Sequence, residues 1–224
     1  MAGSYPCSSH SPSRIQVATW DCGLACVSMV LTALSIAHTH ADLLDADDGA
    51  AADADGLWTI DLAYLLRKFG VRDFTYYTSY IGVNQRYTHS LFYARTLPSD
   101  RRRIHALFQR AAENRVRVVA HTLPVLDIVR FVDSGLYACV VLVDLRRLRC
   151  RWCSGWTKRF WRGLWDFIGH YILLVAYDES TDSFLYRDPG THEELCAVSV
   201  DGFEAARKAV GTDCDVVVVR VVEG

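Results

Sequence analysis

The sequence predicts an α+β domain in which N-terminal helices pack on a C-terminal antiparallel sheet. Helical periodicity dominates the first half of the chain, apolar strand-like runs gather in the second half, and no βαβ repeat connects them. The composition, 51% hydrophobic and 22% charged, excludes intrinsic disorder for most of the 224 residues. We expect a Ser- and Pro-rich disordered tail over residues 1–14, followed by one domain over residues 15–224.

The helices are predicted from apolar spacing and from residues typical of helix ends. Leucine and valine recur at helical spacing from Gly23 onwards, so the first helix is expected over residues 23–34. Thr59 can cap a helix that runs to Phe69, and Gly70 suits the position just after it. The other predicted helices cover residues 41–45, 99–114, 124–133 and 201–210. Residues 45–56 are rich in Ala, Asp and Gly and predict a loop, because they carry no packing side chains. Their acidic residues lack the spacing of a calcium loop and are interpreted as solvated.

The strands are predicted from short runs rich in β-branched, aromatic and apolar residues. They cover residues 74–80, 116–120, 137–144, 170–177, 183–187 and 215–222. Between two of them lies an insertion over residues 145–166, of which residues 145–165 hold seven basic residues, no acidic one and four of the six tryptophans. This insertion is interpreted as a lid or a surface for a protein partner or anionic lipid, or as a loop folded onto its own aromatic cluster.

The charge and cysteine content limit the class of protein. The net charge is -2, which favours neither nucleic acid nor a membrane as a partner. No apolar run approaches the roughly 18 residues of a membrane span, and the first residues lack a signal-peptide pattern. We therefore expect a cytoplasmic protein whose eight cysteines are reduced, with a disulfide framework as the alternative. Cys150 and Cys153 form a lone CxxC, which favours two loop thiols over a four-ligand zinc site.

Cys22 is the candidate nucleophile because it lies where a polar loop meets the first helix. The positive end of a helix dipole favours a thiolate over a thiol. Gly23 next to it would let a substrate backbone approach, and Cys26, one turn further, is expected in the core. Taken alone, Cys22 would be interpreted as a buried small apolar residue.

Three further polar residues complete a candidate catalytic group. A hairpin that turns near Ser180 would place His170 opposite Gly190 and Ile172 opposite Asp188, which brings imidazole and carboxylate to one face. The two side chains lie on one face only if the loop between the strands has an odd number of residues. A histidine oriented by a carboxylate and facing a thiol suits nucleophilic catalysis. Gln16 can donate its amide to a developing oxyanion.

These residues resemble the papain-like cysteine peptidase domains that process bacteriocin leaders. The resemblance lies in Gln-x5-Cys-Gly, Gly-His-Tyr and a later Asp-Pro. It implies a papain-like fold and a catalytic set in which Gln16 stabilises the oxyanion, Cys22 attacks, His170 is the base and Asp188 orients it. It also implies a peptide, isopeptide or other acyl substrate, with no cofactor.

A second resemblance extends over nearly the whole chain. It is to the guanylyl cyclase domain-containing protein 1 family of eukaryotes, which includes plant soluble guanylyl cyclases. The matching segments are residues 20–26, 58–65, 69–71, 169–171, 204–208 and 211–213. The family name implies conversion of GTP to cyclic GMP with magnesium or manganese.

The two resemblances leave three functions open. The sequence has no glycine-rich phosphate loop and no Walker motif, and a helix end explains Lys68–Val71, which matches a short cyclase motif at four positions only. We therefore expect a cysteine hydrolase first and a guanylyl cyclase second. The third alternative is a non-enzymatic interaction domain.

Overall fold

The computed structural model describes residues 21–44, 57–84, 86, 97–152 and 167–222. The expected tail, the acidic loop and residues 153–166 of the insertion lie outside these residues. The described helices are α1 (Cys22–Ala33), α2 (His40–Leu44), α3 (Thr59–Lys68), α4 (Leu97–Arg110), α5 (Val125–Asp133) and α6 (Val200–Arg207). The described strands are β1 (Phe74–Thr78), β2 (Val118–Ala120), β3 (Tyr137–Asp144), β4 (Gly169–Asp178), β5 (Ser183–Arg187), β6 (Cys196–Ser199) and β7 (Val216–Arg220).

The seven described strands form one sheet in the order β2-β1-β7-β3-β4-β5-β6. Only the pairing of β1 with β2 is parallel among them. The predicted α+β class is therefore confirmed, whereas the papain-like assignment stays a prediction. Strand β6 was not predicted, because four residues are too few to show the alternation that identifies a strand.

Both faces of the sheet are buried, as strand β3 shows. Ala138 and Val140 belong to a core cluster with α1, α3 and α4, whereas Cys139 and Val141 belong to a second cluster with α5 and α6. Side chains that alternate along a strand can reach both clusters because successive residues point to opposite faces. The structure thus adds a second helical layer to the one predicted from the N-terminal helices.

Helix α3 begins differently from the prediction. Its cap residue is Trp58, whose backbone N–H donates to the Asp61 carboxylate at 2.9 Å. Asp61 also accepts two hydrogen bonds from the Arg103 guanidinium, which ties α4 to α3. The predicted cap, Thr59, is the first helical residue instead, and its hydroxyl bonds to Tyr171 on β4 at 2.9 Å. The capping prediction was wrong because a carboxylate three residues after Trp58 satisfies the helix start.

The end of α3 confirms that Lys68–Val71 forms a helix terminus. Gly70 has φ +81, and the N–H of Val71 donates to Leu66 O at 3.1 Å. This is the hydrogen bond expected where a left-handed residue closes a helix. None of the described helices is long and apolar enough to cross a membrane.

Gly211 lies against the Phe167 ring, two residues before β4 begins, which predicts a large effect of its substitution. It has φ +110, and a Cβ atom there would lie 2.8 Å from the Phe167 ring, three residues before His170. Gly211→Ala should lower the free energy of unfolding by about 1–2 kcal/mol through backbone strain and by a further ~1–3 kcal/mol through overpacking.

Gly70→Ala is the matched control for that experiment, because Gly70 also has a positive φ, but a Cβ atom at this position would meet nothing within 4 Å. It should show the strain alone. Urea unfolding of both variants measures the difference. Equal losses would mean that the contact with Phe167 contributes nothing.

Candidate active site

Cys22 is the first residue of α1 and is 6% exposed. The backbone N–H of Tyr171 donates to its Sγ at 3.5 Å, which joins the helix start to strand β4. The sulfur therefore lies at the N-terminal end of α1 and accepts a backbone hydrogen bond.

Gly23 has a role other than the predicted one. A Cβ atom at this position would lie 3.0 Å and 3.1 Å from the Leu62 methyl groups and 3.2 Å from the Tyr171 ring. The space beside Gly23 is thus filled by the protein itself. The expectation that this glycine leaves room for a substrate backbone was wrong, and its small size instead lets α1 pack against α3 and β4.

His170 and Asp188 are paired in the interior. The His170 Nε2 lies 2.7 Å from Asp188 Oδ1, and the residues are 5% and 2% exposed. The Gly190 N–H donates to the same carboxylate oxygen at 2.9 Å, and the Thr191 N–H donates to the Asp188 carbonyl at 3.2 Å. These backbone contacts fix the carboxylate, which in turn fixes the imidazole.

The electrostatics of His170 favour the imidazolium. Burial by itself would lower its pKa, but the hydrogen bonds and charges of Asp188 and Cys22 outweigh burial and raise the pKa to about 10. The predicted contact of His170 with Asp188 is present at Nε2, whereas the assignment of Cys22, His170 and Asp188 as a catalytic group stays a prediction.

The β4–β5 hairpin has the predicted register, but its loop length differs from the prediction. Strands β4 and β5 pair from Asp178 and Ser183, which leaves a loop of four residues, 179–182, rather than an odd number. A register shift between Leu174 and Ala176 adds one residue to β4. Beyond it Leu173 pairs with Arg187, and continuing this register places Ile172 opposite Asp188. The prediction of an odd-numbered loop was wrong. The extra residue at the bulge in β4 produces the register that an odd-numbered loop would have given.

The remaining thiols differ from Cys22 in their surroundings. Cys26 is fully buried in the first core cluster, and burial, followed by the charges of Cys22 and Asp188, raises its pKa well above the usual value. It is a core thiol, as predicted. Cys150 packs against the second core cluster, while Cys153 lies outside the described residues. The described residues contain no group of three or more His, Cys, Asp or Glu side chains that could hold a metal ion.

Two sequence predictions concern residues that the structure does not fully describe. Gln16, the predicted oxyanion donor, lies outside the described residues. The insertion is described only over residues 145–152. There the Arg151 N–H donates to Ala197 O at 2.8 Å, and its guanidinium bonds to Thr181 O and Ser183 Oγ at 2.8 Å each. The insertion thus begins along the edge strand β6, and Trp152 after it is 58% exposed.

Sequence reasoning missed two buried polar pairs, Thr59 with Tyr171 and Tyr76 with Asp215. Their side chains come from α3, β1, β4 and the residue before β7, and all four residues are buried. The adjacency of Tyr171 to His170 was the only signal in the sequence. A long-range hydroxyl–carboxylate contact leaves no mark on local periodicity.

The fold and the site together define an α+β protein with a buried cysteine, histidine and aspartate at the junction of α1 with β4. The chain belongs to the family described as guanylylate cyclase, whose model matches residues 12–219. It is 37% identical over 223 residues to "Guanylyl cyclase 1" of Arabidopsis thaliana. That match covers 96% of this chain and 78% of the relative.

Proposed function

We propose that the protein is a cysteine hydrolase that cleaves a peptide, isopeptide or other acyl bond. The observation that carries the proposal is the buried imidazole of His170, which is hydrogen-bonded to Asp188 and is followed in β4 by Tyr171, whose backbone N–H donates to Cys22 Sγ. A nucleophile beside a base that is itself oriented by a third group is the arrangement that covalent acyl transfer requires. The resemblance to papain-like peptidase domains supports the same assignment.

The proposed reaction has two stages. The Cys22 thiolate attacks the carbonyl carbon and forms a C–S bond, while the carbonyl π electrons move onto oxygen as an oxyanion. Collapse of this intermediate breaks the bond to the leaving group, which takes a proton from the His170 imidazolium and leaves a thioester on Cys22. His170 then accepts a proton from water, whose oxygen attacks the thioester and releases the acid and the thiolate. Asp188 holds the imidazole in place throughout, and Gln16 is the proposed donor to the oxyanion.

Guanylyl cyclase activity is the second candidate, and the name of the Arabidopsis relative favours it. Cyclisation requires a base for the ribose 3′-hydroxyl and normally carboxylates that hold a divalent metal. The described residues offer no such carboxylate group, so we derive no step through a metal. An interaction domain, with the exposed Trp152 as part of a partner surface, is the third candidate.

A side-by-side assay separates these functions. We expect wild-type protein to react with an electrophilic probe at Cys22 and to hydrolyse at least one of a panel of peptide amides and thioesters. Cys22→Ala should abolish both activities with little loss of stability, whereas Cys214→Ala, which removes a partly exposed thiol instead of the buried one, should retain both. Metal-dependent cyclic GMP from wild type and Cys22→Ala alike, measured by mass spectrometry, would instead establish the cyclase.

A further inference from the structure

Tyr171 on β4 contacts both of the helices that pack beside the candidate site. It follows His170 directly in the chain and is buried. Strand β5 ends at Arg187, which pairs with Leu173, so Tyr171 lies beyond the pairing of β4 with β5. Its backbone N–H donates to Cys22 Sγ at 3.5 Å. The residue after the proposed base therefore contacts the proposed nucleophile.

The side chain of Tyr171 is held by the start of α3. Its hydroxyl lies 2.9 Å from Thr59 Oγ1 and donates to Leu57 O at 3.4 Å. A hydroxyl carries one proton, so when Tyr171 donates to Leu57, its hydrogen bond with Thr59 is donated by Thr59. Both Thr59 and Tyr171 are buried. Removal of either hydroxyl would thus leave the other without this partner in the protein interior, which costs free energy.

The ring of Tyr171 also packs against the start of α1. A Cβ atom on Gly23 would lie 3.2 Å from the Tyr171 ring and 3.0 Å from a Leu62 methyl group. The ring is therefore in close contact with the backbone that follows Cys22, while the strand that bears the ring also bears His170. A displacement of this ring would change the position of the sulfur relative to the start of β4.

We propose that Tyr171 is a positioning residue for Cys22. Its hydroxyl, anchored to Thr59 and Leu57, keeps the ring against Gly23 and the backbone N–H directed at Sγ. This inference rests on the proposed hydrolase function, because it concerns the reactivity of the same thiol. Tyr171 acts through the geometry of Cys22 and takes no part in bond making, and a misplacement of about 1 Å in a reacting group costs on the order of 10²-fold in rate.

The first measurement tests the placement of the N–H by NMR. The amide signal of Tyr171 should shift when Cys22→Ala removes the sulfur that accepts its hydrogen bond. Thr59→Val removes the hydroxyl that anchors the ring, so it should shift the same signal in the same direction by a smaller amount. Thr59→Ser keeps a hydroxyl at this position and should leave the signal close to that of wild type.

The second measurement is the rate at which iodoacetamide alkylates Cys22, with the site identified by mass spectrometry. Tyr171→Phe and Thr59→Val should each react about fivefold more slowly than wild type, the rate equivalent of one net hydrogen bond. The double variant should react no more slowly than Tyr171→Phe alone, because both changes remove the same contact. Thr59→Ser should recover the wild-type rate.

Tyr64→Phe is the matched control, because the Tyr64 hydroxyl also lies on α3 but donates to Leu107 O at 2.8 Å. It should resemble wild type in both measurements. A purely structural role would lower the free energy of unfolding in urea but leave the alkylation rate of the folded protein unchanged. Rates within twofold of wild type for both Tyr171→Phe and Thr59→Val would overturn the proposal. If circular dichroism shows that one of them does not fold, the other decides the question.

A His170→Ala arm separates this inference from the proposed function. If His170→Ala slows alkylation of Cys22 and the Tyr171 and Thr59 variants do not, only the role of Tyr171 fails. If His170→Ala leaves the rate unchanged, the imidazole does not activate the thiol and the hydrolase proposal itself fails.

Discussion

Asp188→Asn is expected to slow turnover at neutral pH by on the order of 10⁴-fold, the scale seen when a carboxylate that orients a catalytic histidine is made neutral, and to slow alkylation of Cys22 as well. Asp188 provides the hydrogen bond to Nε2 and a negative charge beside a buried imidazole. Burial alone lowers the pKa of His170, so removal of that charge should bring the pKa well below about 10. The imidazole would then be neutral when the thiol needs a cation beside it.

The measurement is a pH–rate profile of Cys22 alkylation, together with an NMR titration of the His170 ring. Asp144→Asn is the matched control, because Asp144 is also a fully buried carboxylate and lies opposite Gly169, next to His170. Its partner is the Arg146 guanidinium at 2.8 Å rather than an imidazole. If both variants slow alkylation equally, loss of a buried charge, and not loss of the histidine partner, explains the effect.

Local sequence patterns predicted most helices and strands, but not the β-bulge or the long-range contacts that complete the site. The apolar spacing after Gly23 located α1 to within one residue, and the turn at 178–182 located the β4–β5 hairpin. No sequence pattern marks the bulge near Val175, because the apolar residues of β4 are continuous and either face of the strand suits a buried side chain. The prediction of neighbouring His170 and Asp188 was therefore right about the contact and wrong about the loop.

Contacts between distant elements account for the other differences. Thr59 is a plausible cap in isolation, but the structure uses its hydroxyl against Tyr171, 112 residues later. In the sequence Gly23 suggests space for a substrate, but in the structure Leu62 and Tyr171 pack beside it and fill that space. In each case the relevant property of the residue, a hydroxyl or a small size, was identified correctly. Its partner depends on tertiary packing, which local sequence patterns do not show.

The second large effect expected is a loss of stability at alkaline pH that depends on His170. An unfolded histidine releases its proton near pH 6.5, whereas His170 in the folded protein holds it to about pH 10. For His170 taken alone, the folded state between these values binds one more proton than the unfolded state. The free energy of unfolding should therefore fall as pH rises from 6.5 to 10, by at most about 1.4 kcal/mol per pH unit for one proton. Below pH 6.5 the stabilisation is fully present.

His170→Asn should remove this alkaline slope, and urea unfolding of both proteins at several pH values measures it. The variant should keep a separate loss of stability over a lower pH range. Asp215 has a pKa raised to about 7, so the folded state also binds an extra proton between about pH 4, where an unfolded aspartate titrates, and pH 7. That contribution is present at acidic pH and is lost as pH rises towards 7, just below the range in which His170 acts. If His170→Asn and wild type show the same slope above pH 7, the imidazolium does not stabilise the fold, and the charged pair at the centre of the proposed site is not formed in solution.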